Sequence, residues 1–357
     1  MLIRKVTQRT TRGKPAAPAR TTLAGGLMAG KSVVEYDHYV AIDWSLKIMA
    51  IAHLSGRDQI PRVFERPTDL KELKTYLGSL KGRTIITFEE SGFAHWLYLE
   101  LLDCADRILI CDPFQNRLLF HGPKTDKIDA RKLCELLRSG LLKEVYHSDS
   151  ALYELRLLVS AYDDVVRSGI RVLNQKAALK LGHRDTGKSA AFVGEILKEN
   201  IDLYRQSKQQ YERRFHELAR RNKLVRFHRE IDGIGTIGAV KVVACVVDAQ
   251  RFPYSGKHLS YCELVKHEKL SGGRSYGRRK PRYSRVLKSV YKTAALAALK
   301  GNNPIREYYD HLLAQGVAEH NARHAVARYI ARISYGMLKS GTRYEPYRWR
   351  NAQRTSI

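Results

Sequence analysis

The sequence predicts an α/β plus α protein: a mixed-sheet domain, a long helical coiled-coil hairpin, and a mostly helical C-terminal domain. Three observations predict it. Between residues 36 and 148, three consecutive β-rich runs give way to alternating helical and strand-like stretches. From Leu152 to about residue 225, apolar residues step by three and four. Beyond Ile231, glycines punctuate small-residue and amphipathic helical segments. At 357 residues the chain has room for two or three such modules, each with a sizeable core.

The elements follow in order. Residues 1–35 carry Arg4, Lys5, Arg9, Arg12 and Lys14 among Gly, Pro, Ala and Thr, and read as a disordered basic tail, either a solvated extension or a nucleic-acid-contacting arm. Strands are expected at 39–43, 48–53 and 62–65, a helix at 69–80, a buried strand at 83–88, a helix at 94–104 and a strand at 107–111. A further helix at 126–138 places Ile128, Leu133, Leu136 and Leu137 on one stripe, and Gly140 stops it. Three antiparallel strands running into parallel αβ units is the plan of an RNase H-like mixed sheet, here assigned to 36–148.

Residues 149–226 follow as the helical hairpin, with Leu152, Leu155, Val159, Tyr162, Val166, Ile170 and Leu173 along its first arm. A breaker at 182–187 turns the chain, and Tyr204, Tyr211, Phe215 and Leu218 mark the returning arm. The pair either packs on itself as a strut or dimerises the protein. The C-terminal domain, 227–345, opens with Ile231-Asp232-Gly233-Ile234-Gly235, a helix-hairpin-helix-like turn before a small-residue helix. Gly233 and Gly235 there would let backbone N–H groups approach a phosphate. A Rossmann alternative lacks the strand-helix-strand rhythm and the distal acid. Residues 346–357 form a tail.

Composition narrows the function classes. Lys and Arg exceed Asp and Glu to give a net charge of +27, while hydrophobic residues make up 44%, so the charge sits on a chain that folds and needs a polyanion. No apolar run approaches the length of a membrane span and no signal sequence opens the chain, so a cytoplasmic, nucleoid-associated protein with no membrane partner is expected. The cysteines at 104, 111, 134, 245 and 262 form no CxxC pair and read as buried small hydrophobes. His95, His121 and His147 lack metal spacing. The HxxR at 320–323, near Tyr329 and Tyr335, reads as an amphipathic helix rather than a recombinase motif.

The carboxylates carry the chemical expectation. Asp43 ends the first strand, Glu89 ends the fourth, and Asp126 and Asp129 share a helix face at i, i+3. In the expected sheet the first and fourth strands are neighbours, so the four acids meet at one end. Crowded carboxylates call for hard divalent cations, and two Mg²⁺ ions would suit phosphate chemistry, with Mn²⁺ able to substitute. Each acid also has a plainer role open to it: Asp126 and Asp129 at a helix dipole, Asp43 in a turn, Glu89 beside Glu90 as a solvated pair. From Lys269 to Arg306 the chain holds Arg274, Arg278, Arg279, Lys280, Arg282, Arg285 and Lys288 with no acid. Tyr276, Tyr283 and Tyr291 interleave, a pattern suited to nucleic acid.

Ala41-Ile42-Asp43-Trp44-Ser45, Phe88-Glu89-Glu90-Ser91-Gly92 and Lys124-Thr125-Asp126-Lys127-Ile128-Asp129-Ala130 together resemble the DEDD-motif transposases of bacterial insertion sequences. The resemblance continues through 231–238, 248–252 and Leu270-Ser271-Gly272. It implies a RuvC-like domain joined by a coiled coil to a C-terminal domain with a catalytic serine. By motif, the acids are Asp43, Glu89, Asp126 and Asp129, holding metal, and the serine is Ser271; Lys124 joins the nucleic-acid contacts. The implied activity is recombination of donor and target DNA through a covalent phosphoserine, guided by a structured bridge RNA, in a homo-oligomer built as a dimer of dimers. Pilin-gene invertases are related. The basic tail, bulky Trp44 and the nearby Ser275 depart from the pattern, and Ser275 rivals Ser271. A metal-dependent nuclease or junction resolvase using water, or a non-catalytic nucleic-acid-binding protein, are the competing functions.

Overall fold

The computed structural model describes residues 35–116, 125–181, 187–279, 283–347 and 349–350. The basic tail before residue 35, Lys124, His121, residues 182–186, Lys280, Arg282 and residues 351–357 lie outside the described residues. The chain divides between residues 208 and 209 into two compact units.

The N-terminal unit is built on five strands: β1 (His38–Trp44), β2 (Ile48–Ser55), β3 (Arg62–Pro67), β4 (Thr84–Glu89) and β5 (Arg107–Cys111). Their order is β3-β2-β1-β4-β5, with β1 antiparallel to β2 and parallel to β4. This mixed sheet fits the RNase H-like plan expected from the element order. β1 lies at its centre because Val40, Ala41 and Ile42 are fully buried, apolar to both faces as a covered strand must be.

Alternation then sorts side chains to two cores. Val40, Ile42, Met49, Ile51 and Phe88 pack with Leu73 and Leu77 of α1 (Leu70–Ser79) and with Leu97 and Leu101 of α2 (Ala94–Leu101). Tyr39, Ala41, Ala50, Ala52 and Cys111 face the other way. After the one-turn α3 (Pro113–Asn116), that second face is covered by α4 (Asp126–Arg138) through Ala130, Leu133, Cys134 and Leu137. Thr125 caps α4 by accepting from Ile128 N–H at 3.3 Å, and Gly140, at φ +65°, lies just past the helix end.

Two long helices follow, α5 (Ala151–Leu181) and α6 (Lys188–Arg221). A Cβ at Gly169 would meet the Tyr204 ring at 2.3 Å, and one at Gly194 would touch Leu179, so the helices run antiparallel.

The C-terminal unit contains α7 (Lys223–His228), α8 (Thr236–Val246), a 3₁₀ turn at Ala249–Arg251 and α9 (Ser255–Tyr261). It continues with α10 (Arg285–Ala298), α11 (Pro304–Ala314) and α12 (Glu319–Ser340). α8 is rich in β-branched valines yet helical, because burial of Ala239, Val240, Val242, Val243 and Val246 outweighs propensity. One element departs from the mostly helical expectation: β6 (His267–Ser271) and β7 (Arg274–Arg279) form an antiparallel hairpin. Gly272 and Gly273, both at positive φ, make its two-residue turn.

Candidate active site

The sheet register places the first two acids. Asp43 pairs across the ladder with Ala50, and Glu89 with Cys111. Ala50 and Cys111 both belong to the core beneath α4, and cross-strand partners point to the same face. Asp43 and Glu89 therefore lie on the α4 side. The parallel register ends by matching Ala41 with Thr87, each two residues short of its strand's acid.

α4 supplies the other two. Its far end is fixed low on the sheet, where Arg138 donates to the Gly56 carbonyl at 3.3 Å. Its near end is fixed where Lys127 Nζ meets Glu65 Oε2 at 2.8 Å. Glu65 pairs with Ala50, the partner of Asp43, so the first turn of α4 stands level with Asp43. Asp126 precedes Ala130, Leu133 and Leu137 by four, seven and eleven residues and so extends their sheet-facing stripe. Asp129 lies alongside it. Asp43 and Glu89 thus lie on the sheet face that α4 covers, and the positive pole of α4 favours the charges of the two acids in its first turn. Asp43 and Asp129 are half-buried, and Glu89 and Asp126 exposed. Among the described residues no three His, Cys, Asp or Glu side chains stand together as a ready metal cluster.

Two neighbours that blur the sequence pattern point the other way. Trp44 packs edge-to-face on Trp96 of α2, its ring centroid 5.9 Å away. Glu90 is held by His147, whose Nε2 lies 2.6 Å from Glu90 Oε2 while its ring is almost fully buried. His147 in turn meets the Tyr153 hydroxyl at 3.2 Å, and His95 stacks on Tyr153. Burial, then His147, pushes His95 below its ordinary value. Glu90 and His147 are a tether between β4 and α5, which no spacing in the sequence signals.

Ser271 sits at the exposed tip of the β6–β7 hairpin, paired with Arg274, whereas Ser275 faces Leu270 one rung back. Lys269 lies 5.9 Å over the Tyr276 ring, and Arg278 comes within 4.0 Å of Glu268. Lys288 is drawn to Glu263 at 2.7 Å, and Arg285 starts α10 exposed. The Ser-Gly-Gly-Arg turn is the signal by which the hairpin could have been read. The two glycines separate. Gly233, at φ +86°, has Ala294 of α10 so close that a Cβ would sit 2.1 Å from its carbonyl oxygen, so internal packing requires this glycine. Gly235 is exposed and caps α8, and a Cβ there would meet nothing within 4 Å.

Residues 40–180 match the DEDD transposase model of the IS110 type, described as a transposase, and residues 226–310 match the model described as "Transposase IS116/IS110/IS902 family". Asp43, Glu89, Asp126 and Asp129 fall within the first match and Ser271 within the second. The chain is also similar to the insertion element IS110 uncharacterized 43.6 kDa protein of Streptomyces coelicolor, at 32% identity over 114 residues. That match covers 32% of this chain and 28% of the relative.

Proposed function

Because this chain belongs to the IS110-type family of DEDD transposases, we propose that it is the transposase of an insertion sequence, a site-specific recombinase that cuts and rejoins DNA. The observation that supports this reading is that Asp43 and Glu89 end strands on the sheet face covered by α4, whose first turn carries Asp126 and Asp129. An all-carboxylate donor set fits hard divalent cations, Mg²⁺ first and Mn²⁺ as substitute. Such ions supply charge neutralisation at a scissile phosphate.

Ser271 acts as nucleophile in this proposal. Its Oγ bonds to phosphorus, the bond to the leaving nucleotide oxygen breaks, the hydroxyl proton is released and the leaving oxygen takes one up. The phosphoserine conserves the phosphodiester bond energy, so a second strand's hydroxyl can displace the serine and rejoin DNA. A position at the tip of an exposed hairpin suits a serine that must reach a strand, and Arg274 opposite supplies positive charge. Gly235 and the N-terminus of α8 form a helix-hairpin-helix-like phosphate contact. The α5–α6 pair acts as a coiled coil in a homo-oligomer, a reading favoured by exposed Leu157, Ile170, Leu173, Phe192, Ile196 and Leu203. A structured bridge RNA supplies site choice. Among the described residues no helix is long and apolar enough to cross a membrane, in keeping with a cytoplasmic role at the nucleoid.

The test is to purify the full chain, sequence the RNA that accompanies it, and supply Mg²⁺ and DNA carrying the matching sites. Products are resolved on a denaturing gel beside Ser271→Ala. A covalent protein–DNA adduct and strand exchange, both lost in Ser271→Ala, are expected. Cleavage that survives the substitution would make water the nucleophile, as in a nuclease or resolvase, and unchanged exchange in Asp43→Asn would remove the acids from catalysis.

A further inference from the structure

A cavity of about 710 Å³ opens in the C-terminal unit between the start of β6, the end of β7, α10 and the first turns of α12. Its two acids are already engaged. Glu263 is buried against Lys288, and Glu268 faces Arg278, its partner across the hairpin. Three other cations on the wall, Lys266, Lys292 and Arg328, have no ion-pair partner among the described residues. Arg328 is half-buried, and its guanidinium keeps its charge throughout the physiological range.

On the same wall His320 Nε2 and His324 Nε2 stand 3.3 Å apart across one turn of α12. Such a pair suits a transition metal. Here Lys266, Lys292 and Arg328 would repel a dication, and no third metal-ligating side chain joins the pair among the described residues. Burial, then Lys292, His320, Arg328 and Lys266, pushes His324 below its ordinary value, so the positive field of these neighbours adds to desolvation. An anion relieves that field.

The cavity is roomier than a single phosphate requires, and it is continuous with the hairpin. Glu268 and Arg278 border it, and Ser271 and Arg274 lie three rungs further out, about 10 Å along the strand. We infer that the cavity holds backbone phosphates of a nucleic-acid strand, with Lys266, Lys292 and Arg328 neutralising them and His320 and His324 donating N–H, and that the strand continues along the hairpin toward Ser271. This rests on the proposed action on DNA. The ligand chemistry is a phosphate oxyanion, and a repeating phosphodiester fits an extended basic path better than a free anion does.

The test is fluorescence anisotropy of a labelled single-stranded DNA of about 20 nucleotides with the full chain, across a salt series. The double substitution Lys292→Gln with Arg328→Gln is expected to weaken binding at least ~tenfold and to flatten the slope of log affinity against log salt by about 1.4, roughly 0.7 per lost contact. Exposed Lys266→Gln alone should flatten it by about 0.7, and Lys292→Arg should keep wild-type affinity, which separates lost charge from lost fold. Failure of the wild type to bind DNA would overturn the proposed function itself. Wild-type binding with unchanged affinity and slope in the variants would overturn the cavity alone. If inorganic phosphate or a mononucleotide displaced the probe as well as unlabelled strand at equal phosphate concentration, the site would serve a small anion and the strand assignment would fall.

Discussion

Acid should weaken the C-terminal unit, first through the buried imidazole of His258. His258 is fully buried, stacked with Tyr335 and edge-on to Tyr291 and Phe252. Its Nε2 lies 3.3 Å from the Tyr291 hydroxyl, and its Nδ1 has no hydrogen-bond partner. Burial, reinforced by Arg251 and His228, pushes this imidazole down to about 4 from an ordinary value of 6.5. The folded state thus binds the proton less readily than the unfolded chain. Stability is full above about pH 6.5, falls as pH drops toward 4, and levels off below it. By about pH 5 the loss through His258 is about 2 kcal/mol, from the ratio of proton binding in the two states. Buried His228, also pushed down, adds a loss of the same sign. Urea unfolding at about pH 7.5 and 5 reads this, with the C-terminal unit's transition assigned by hydrogen exchange; a 2 kcal/mol loss moves the midpoint by about 1 M. His258→Gln should retain all but the His258 share of the loss. Equal losses in wild type and His258→Gln would refute the reasoning, whatever the variant's absolute stability.

Gly233→Ala should cost about 3 kcal/mol, the sum of a left-handed backbone penalty and a clash with the α10 carbonyl, whereas Gly235→Ala, which meets no clash and only replaces an N-cap glycine, should cost less than about 1 kcal/mol. Calorimetry on both variants decides it. Glu89→Gln should abolish strand cleavage, while Glu90→Gln should keep most of it and instead speed hydrogen exchange near His147; equal losses of cleavage would refute the assignment of the two faces. Gly169→Ala should destabilise the α5–α6 pair by about 1–3 kcal/mol, because the Tyr204 ring occupies the space. Combining it with Tyr204→Leu should restore part of the loss, read as the thermal midpoint of the N-terminal unit.

Much of the N-terminal unit was legible because its information is local. Apolar runs of strand period and stripes of helical period were visible, and an acid ending an apolar run marks an energetic cost that invites a use. The order of those runs allowed β1 to be set beside β4, and Asp43 and Glu89 followed. Glu89 was named by its place at the strand end and by motif, but the face that separates it from adjacent Glu90 was not legible, since neighbours along a strand differ only in the face they take. The faces are given by the pairing of Glu89 with Cys111 and the grip of His147 on Glu90. The hairpin was hidden because its strands are short, wholly polar on the β6 side apart from Leu270, and unsupported by an alternating core pattern.

By itself the sequence determined the element types, the excess of positive charge and which acids stand at element ends, all properties of a residue and its near neighbours along the chain. Only the tertiary structure decided that Gly233 serves a close approach of α10, and that Lys266, Lys292, Arg328 and two histidines from distant segments share one cavity. The reason is physical: periodicity is written in local spacing, whereas a charge's partner, and hence whether it is spent on a neighbour or left for a ligand, depends on which remote elements pack together.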